Sequence, residues 1–285
     1  MGVHSHLSIV SGATGSVFRW RLAVPSEKGG WVWWIGPLVV GAAAGGEPGG
    51  ALLLVGAGAL LAFCFKQPIT LITRQFRKVP DRRTLGPPLF WAVLYATALA
   101  WIAMLLFRMG HPKIVLLGVL AVPVLGWHMA LVYRGRDRHQ QVLDISAAFA
   151  LALIGPAAYW ASGGGEPAKA LWIWALTATQ SMASIVHMFL RLKQRAMSAT
   201  PPLGDRLDQG FLPVVVHAAG LALALFAWQT GVANIAVVLA MLIPAVEGTW
   251  SAYRPQVGHP PKRLGMRQLF VSSGAMLLLA LGMLG

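Results

Sequence analysis

The chain is short of charge, and of acid above all. Of its 285 residues 11% are charged, 23 Lys or Arg against nine Asp or Glu, where an ordinary soluble domain carries about 25%. With 56% hydrophobic residues, it has too little polar surface to cover a water-facing globule, which excludes a soluble enzyme. A single cysteine, Cys64, excludes a disulfide framework, a thiolate zinc site and an iron–sulfur cluster. No apolar run precedes Trp31, so no cleavable secretory signal is expected. Met1–His6 lacks the Ser or Thr that an N-myristoylation signal needs. No linker has the length of a second folded domain. Residues 1–30 are therefore expected to form a cytoplasmic arm, and 31–285 a single polytopic transmembrane domain.

What is present is a series of long apolar runs. A helix needs about 17–25 residues to cross the hydrocarbon, and nine stretches approach that length: 31–44, 50–65, 89–107, 114–133, 142–161, 170–190, 211–228, 232–250 and 266–284. The expected fold is all-α, a membrane protein of about nine transmembrane helices. The basic residues alternate with the spans. All of the 23 except Arg108, Lys113 and Lys169 fall in the arm or in every second connection. By the positive-inside rule those connections and the N-terminus are cytoplasmic, and an odd number of helices puts the C-terminus outside. The excess of positive charge is thus topology. Nucleic acid is not expected as a partner, because no cytoplasmic domain or aromatic stacking platform accompanies it.

Ionisable groups inside a membrane are costly, about 2.5–3.5 kcal/mol at mid-helix, so each needs a reason. His128, Asp144, His187, His217 and Glu247 all sit near the basic ends of their spans, with Lys66, Arg74 and Arg191 just beyond or beside them. Singly, each fits a helix end near water, and Asp144 suits a helix N-terminus. Together, so many helices bringing such groups to one depth predict a polar cavity facing the cytoplasm, with these eight as ligand-binding residues. The histidines lie on different helices and no His-Glu-x-x-His spacing accompanies them. No metal, cofactor or catalytic residue is expected. The connection 66–88 carries the densest positive charge. It reads either as a loop held on anionic lipid or as an arginine-rich lid for a phosphate-bearing ligand.

The segment Val24-Pro25-Ser26-Glu27-Lys28-Gly29-Gly30-Trp31, followed by Ile35-Gly36-Pro37, resembles the opening of the YwiC-like membrane proteins, with Lys28 where that family has His. Leu143-Asp144-Ile145-Ser146-Ala147-Ala148 and Lys262-Arg263-Leu264-Gly265-Met266-Arg267-Gln268 are similar to two further stretches of it. That family implies no established activity. The layout more distantly resembles the UbiA-type prenyltransferases, which implies a nine-helix bundle around a cavity near the cytoplasmic face. In those enzymes two aspartate-rich motifs hold Mg²⁺ on a prenyl diphosphate. Here the corresponding span ends, Phe63–Thr70 and Ser184–Arg191, contain no acid. Asp81, Asp205 and Asp208 are the nearest carboxylates, and all are expected in loops.

The resemblance therefore implies a shared fold without the metal site. The first reading is a non-catalytic protein whose partners are membrane lipids and an anionic lipid or isoprenoid ligand, held directly by cations. Two alternatives stay open: a prenyl or alkyl transferase with a metal-independent site, and a stabilising subunit of a larger electron-transfer or pigment complex in the membrane.

Overall fold

A computed structural model describes residues 19–25, 30–77, 82–136 and 141–284. Glu27, Lys28 and Asp81 lie outside the described residues. After a single turn, α1 (Trp20–Ala23), come α2 (Gly30–Gly45), α3 (Gly50–Phe76), α4 (Arg82–Arg108), α5 (Pro112–Tyr133) and α6 (Gln141–Ala152). They are followed by α7 (Ile154–Ala161), α8 (Pro167–Arg195), α9 (Leu203–Gln229), α10 (Ala236–Tyr253) and α11 (Pro261–Gly282). Among the described residues, eight spans are long and apolar enough to cross a membrane, with α6 and α7 counted as one, and α2 is a shorter apolar helix of 16 residues. The chain is an integral, multi-pass, all-helical membrane protein. Each apolar stretch of the sequence corresponds to a helix or, for 142–161, to a broken pair.

The helix ends differ from the apolar limits. α3 runs on through Pro68 to Phe76 and α4 starts at Arg82, so most of the connection 66–88 is helix and Lys66, Gln67 and Arg74 stand on α3. The helix continues because polar residues at a membrane surface lose nothing by staying helical, and Thr70 Oγ1 donates to the Lys66 carbonyl (2.7 Å) beside the proline. Asp205 and Asp208 likewise lie in the first turns of α9, not in a loop, where carboxylates favour the N-terminal dipole.

Short turns join neighbours. Between α4 and α5, Gly110 adopts φ +84°, and the His111 N–H donates to the Leu106 carbonyl (2.9 Å). This is a Schellman ending that only glycine enters without strain, and Pro112 then opens the next helix. The α6–α7 break falls before Pro156, and the Trp174 indole N–H donates to the Phe149 carbonyl (3.2 Å) at that point. That bond satisfies a backbone acceptor where the helix is interrupted.

Packing is uneven. α2 lies against α7 so closely that a Cβ on Gly41 would collide with the Gly155 carbonyl, the small-residue contact that lets membrane helices approach. α8 is the most enclosed span and packs on α2, α6, α7, α9, α10 and α11. Its apolar part joins the main core through Ile173 and Leu176, with Val237, Leu279 and Met283 from α10 and the end of α11. α4 and α5 form the opposite extreme, on the periphery.

Candidate functional site

Along α8, Gln180, Ser184, His187, Arg191 and Gln194 recur at spacings of three and four, and all are buried. That spacing aligns them on one helix face. Ordinarily such a stripe would be apolar, so its polarity demands partners from the helices it meets.

α11 supplies one set. Ser184 Oγ lies 2.7 Å from Ser272 Oγ, and Gln268 Nε2 donates to Ser184 Oγ (2.6 Å) and Ser272 Oγ (3.2 Å). One and two turns on, α10 supplies another. Arg191 Nε donates to His187 Nε2 (3.2 Å), and Ser251 Oγ sits 2.9 Å from the same nitrogen while donating to the Glu247 carbonyl (2.7 Å). His187 Nε2 is therefore the acceptor, and the ring proton belongs on Nδ1. Arg191 Nη1 donates to Gln194 Oε1 and to the Arg254 carbonyl (3.4 Å each), and Gln194 Nε2 donates to the Ser251 carbonyl (2.9 Å).

His217 of α9 completes the cluster. Its ring lies edge-on to His187 at 6.0 Å between centroids. The Nδ1–H donates to the Pro213 carbonyl (2.6 Å), since a carbonyl can only accept, and this leaves Nε2 as an acceptor. α10 admits the ring because Gly248 faces it: a Cβ there would stand 2.8 Å from the imidazole Cε1.

The charges do not balance. Arg191 is 4% exposed, and its Nη2 has no hydrogen-bond partner. Glu247 forms an ion pair with Arg267 Nε of α11 at 2.7 Å, with side chains 10% and 47% exposed. Both of those charges are within electrostatic reach of Arg191. Two guanidinium groups thus share one carboxylate. A partly desolvated cation with a free N–H favours a further anionic acceptor.

Of the eight residues expected at the site, His187, Arg191, His217 and Glu247 are brought together by α8, α9 and α10. Lys66 and Arg74 stand on α3, His128 on α5 and Asp144 in the first turn of α6, a helix that packs on both α5 and α8. The Thr73 hydroxyl on Met129 Sδ (3.4 Å) ties α3 to α5 beside His128. Ser251, Gln194, Arg267, Gln268 and Ser272 belong to the site and were not expected from sequence. Gln194 could have been found, because it continues the α8 stripe three residues past Arg191. Among the described residues, no three His, Cys, Asp or Glu side chains converge as a metal site would require. The Glu-poor, Arg-rich donor set suits an anion, not a cation.

No curated protein matches the sequence of this chain. Among solved structures it is similar to one described as giving "Structural and mechanistic insights into the biosynthesis of Digeranylgeranylglyceryl phosphate synthase in membranes", at a TM-score of 0.57 and 8% identity over 88% of this chain and 93% of that one. At that identity the likeness is one of fold, and it shows the UbiA-like bundle that the layout resembles. Residues 24–159 match the family model described as YwiC-like protein, a range that includes the Val24–Trp31 and Leu143–Ala148 stretches and stops short of Lys262–Gln268. The chain is thus a multi-pass membrane protein of UbiA-like fold that is similar to the YwiC-like proteins over residues 24–159.

Proposed function

We propose that this protein binds an anionic membrane amphiphile at the basic end of the bundle, directly through Arg191 and its neighbours and without magnesium. It acts as a binding, transport or accessory protein, with that end in the cytoplasm by the positive-inside rule. One observation carries the reading: Arg191 is buried, charged and short of an acceptor at Nη2. An unpaired buried guanidinium is costly to keep, and an intramembrane cation is a binding-site hypothesis by default. The paired acids of the UbiA-type motifs are missing at the matching span ends, which removes the means of holding Mg²⁺ on a diphosphate.

Native mass spectrometry of the purified protein tests it. The wild type is expected to retain a phosphate-bearing lipid, and Arg191→Ala and Arg267→Ala to lose most of it. Equal retention in the variants overturns the reading. The fold favours one competitor, a prenyl or alkyl transferase using Asp144, His187, His217 and Glu247 as acid–base groups. Membranes incubated with labelled prenyl diphosphate are expected to show no transfer, with or without chelator, and magnesium-dependent turnover would establish the enzyme instead.

A further inference from the structure

A groove of about 780 Å³ runs between α9 and α10 and reaches Arg267 of α11. Its length is lined by Leu221, Leu242, Ile243 and Val246, and its polar end by His217, Glu247 and Arg267. Ile243 and Val246 are exposed on the outside of the bundle, so the groove opens sideways into hydrocarbon. His217 and Glu247 sit toward the basic ends of α9 and α10, and Leu221 and Leu242 about one turn deeper. An apolar trough therefore leads from the bilayer to the charge cluster.

The polar end is built for an anion with more than one oxygen. Glu247 meets Arg267 at Nε, and the Nη edge of a guanidinium held in this way is the edge that takes phosphate bidentately. His217 Nε2 offers an acceptor for a protonated phosphate oxygen, and the buried Arg191 behind the groove wall adds positive charge within reach of Glu247 and Arg267. A free anion would use only this end. A single hydrocarbon chain attached to it would also fill the trough and keep the headgroup at its polar end.

Resting on the anion-binding reading above, we infer that the ligand is a single-chain phosphate monoester, with its phosphate on Arg267 beside His217, in the field of Arg191, and its chain in the α9–α10 groove. Glu247 positions Arg267 for it.

The test uses the full chain in phosphatidylcholine nanodiscs, with hexadecyl phosphate as labelled probe and inorganic phosphate, hexadecanol and a diacyl phosphatidic acid as competitors. Hexadecyl phosphate is expected to bind saturably, at least about ten-fold tighter than inorganic phosphate or phosphatidic acid displaces it, and hexadecanol not to compete. Ala218→Phe, which fills the groove wall, should weaken the probe about ten-fold or more and leave inorganic phosphate unchanged. Ile243→Phe, at an exposed lining position, is the second such variant should the first fail to fold. Arg191→Gln should weaken both phosphates. Unchanged probe binding in the groove variants, or phosphatidic acid competing as well as the probe does, overturns the single-chain assignment while the Arg191 dependence leaves anion binding standing. No effect of Arg191→Gln on either phosphate overturns both.

Discussion

α5 and α8 cross the same membrane by opposite means. On α5 only Ile114 and Val132 are buried; Val115 and Leu117 pack partly against the core, while Leu116, Val119 and Val122 turn outward. α8 is enclosed by its neighbours and keeps Gln180, Ser184, His187, Arg191 and Gln194 on a buried face. In lipid the hydrophobic effect draws no two helices together, so apolarity secures insertion and says little about association. α5 is held in the bilayer by its side chains. α8 is held in the protein by its hydrogen bonds. The difference explains why so polar a helix occupies the centre: only there do Ser251, Gln268 and Ser272 satisfy it.

Four substitutions sharpen or break this contrast. The largest effect is expected for His187→Leu, which strips Arg191 Nε of its acceptor. Leaving a buried charged donor unpaired costs about 3 kcal/mol or more, to be read as a lowered unfolding midpoint in detergent. Next comes Ser184→Ala, which removes the centre of the Ser272–Gln268 seam. A loss of about 1–2 kcal/mol is expected, and adding Ser272→Ala should cost less than twice that, because the two act as one unit. The smallest effect belongs to α5. Leu116→Ala, at a site facing lipid, should stay within about 0.5 kcal/mol. A cost there comparable to that of Ser184→Ala would mean that α5 has a protein partner, the complex-subunit reading.

Much of the architecture could be read in the sequence for a physical reason. Crossing hydrocarbon demands a long apolar run whatever the neighbours, so each stretch from Trp31 onward marks a helix. The ends of those helices could not be read in this way. Beyond the membrane, helicity is decided by capping and dipole, and residues such as Arg74 and Asp205 continue a helix without any apolar signal. The α6–α7 break was hidden as well, since Pro156 within a span is compatible with either a kink or a break.

The site was half legible. His187, Arg191, His217 and Glu247 were found because ionisable groups are rare in membranes and so stand out. Ser251 and Ser272 were not, because serine is common in transmembrane helices and only the packing of α10 and α11 on α8 shows which ones matter. Lys66, Arg74, His128 and Asp144 are expected at the depth of the cluster from their place along the spans, but they stand on α3, α5 and α6. Depth follows from position along a span. The order of helices around the bundle does not.

The polar face of α8 also has a bearing on how the protein is made. α8 is the least apolar of the eight long spans, and the groups that satisfy it lie on α10 and α11, more than fifty residues further along the chain. When α8 leaves the ribosome its partners have not yet been synthesised. Lipid meets the apolar surface of α5 at once, whereas the polar face of α8 lacks these hydrogen bonds until α10 and α11 are in place, and a chain cut short after Arg195 would leave it so.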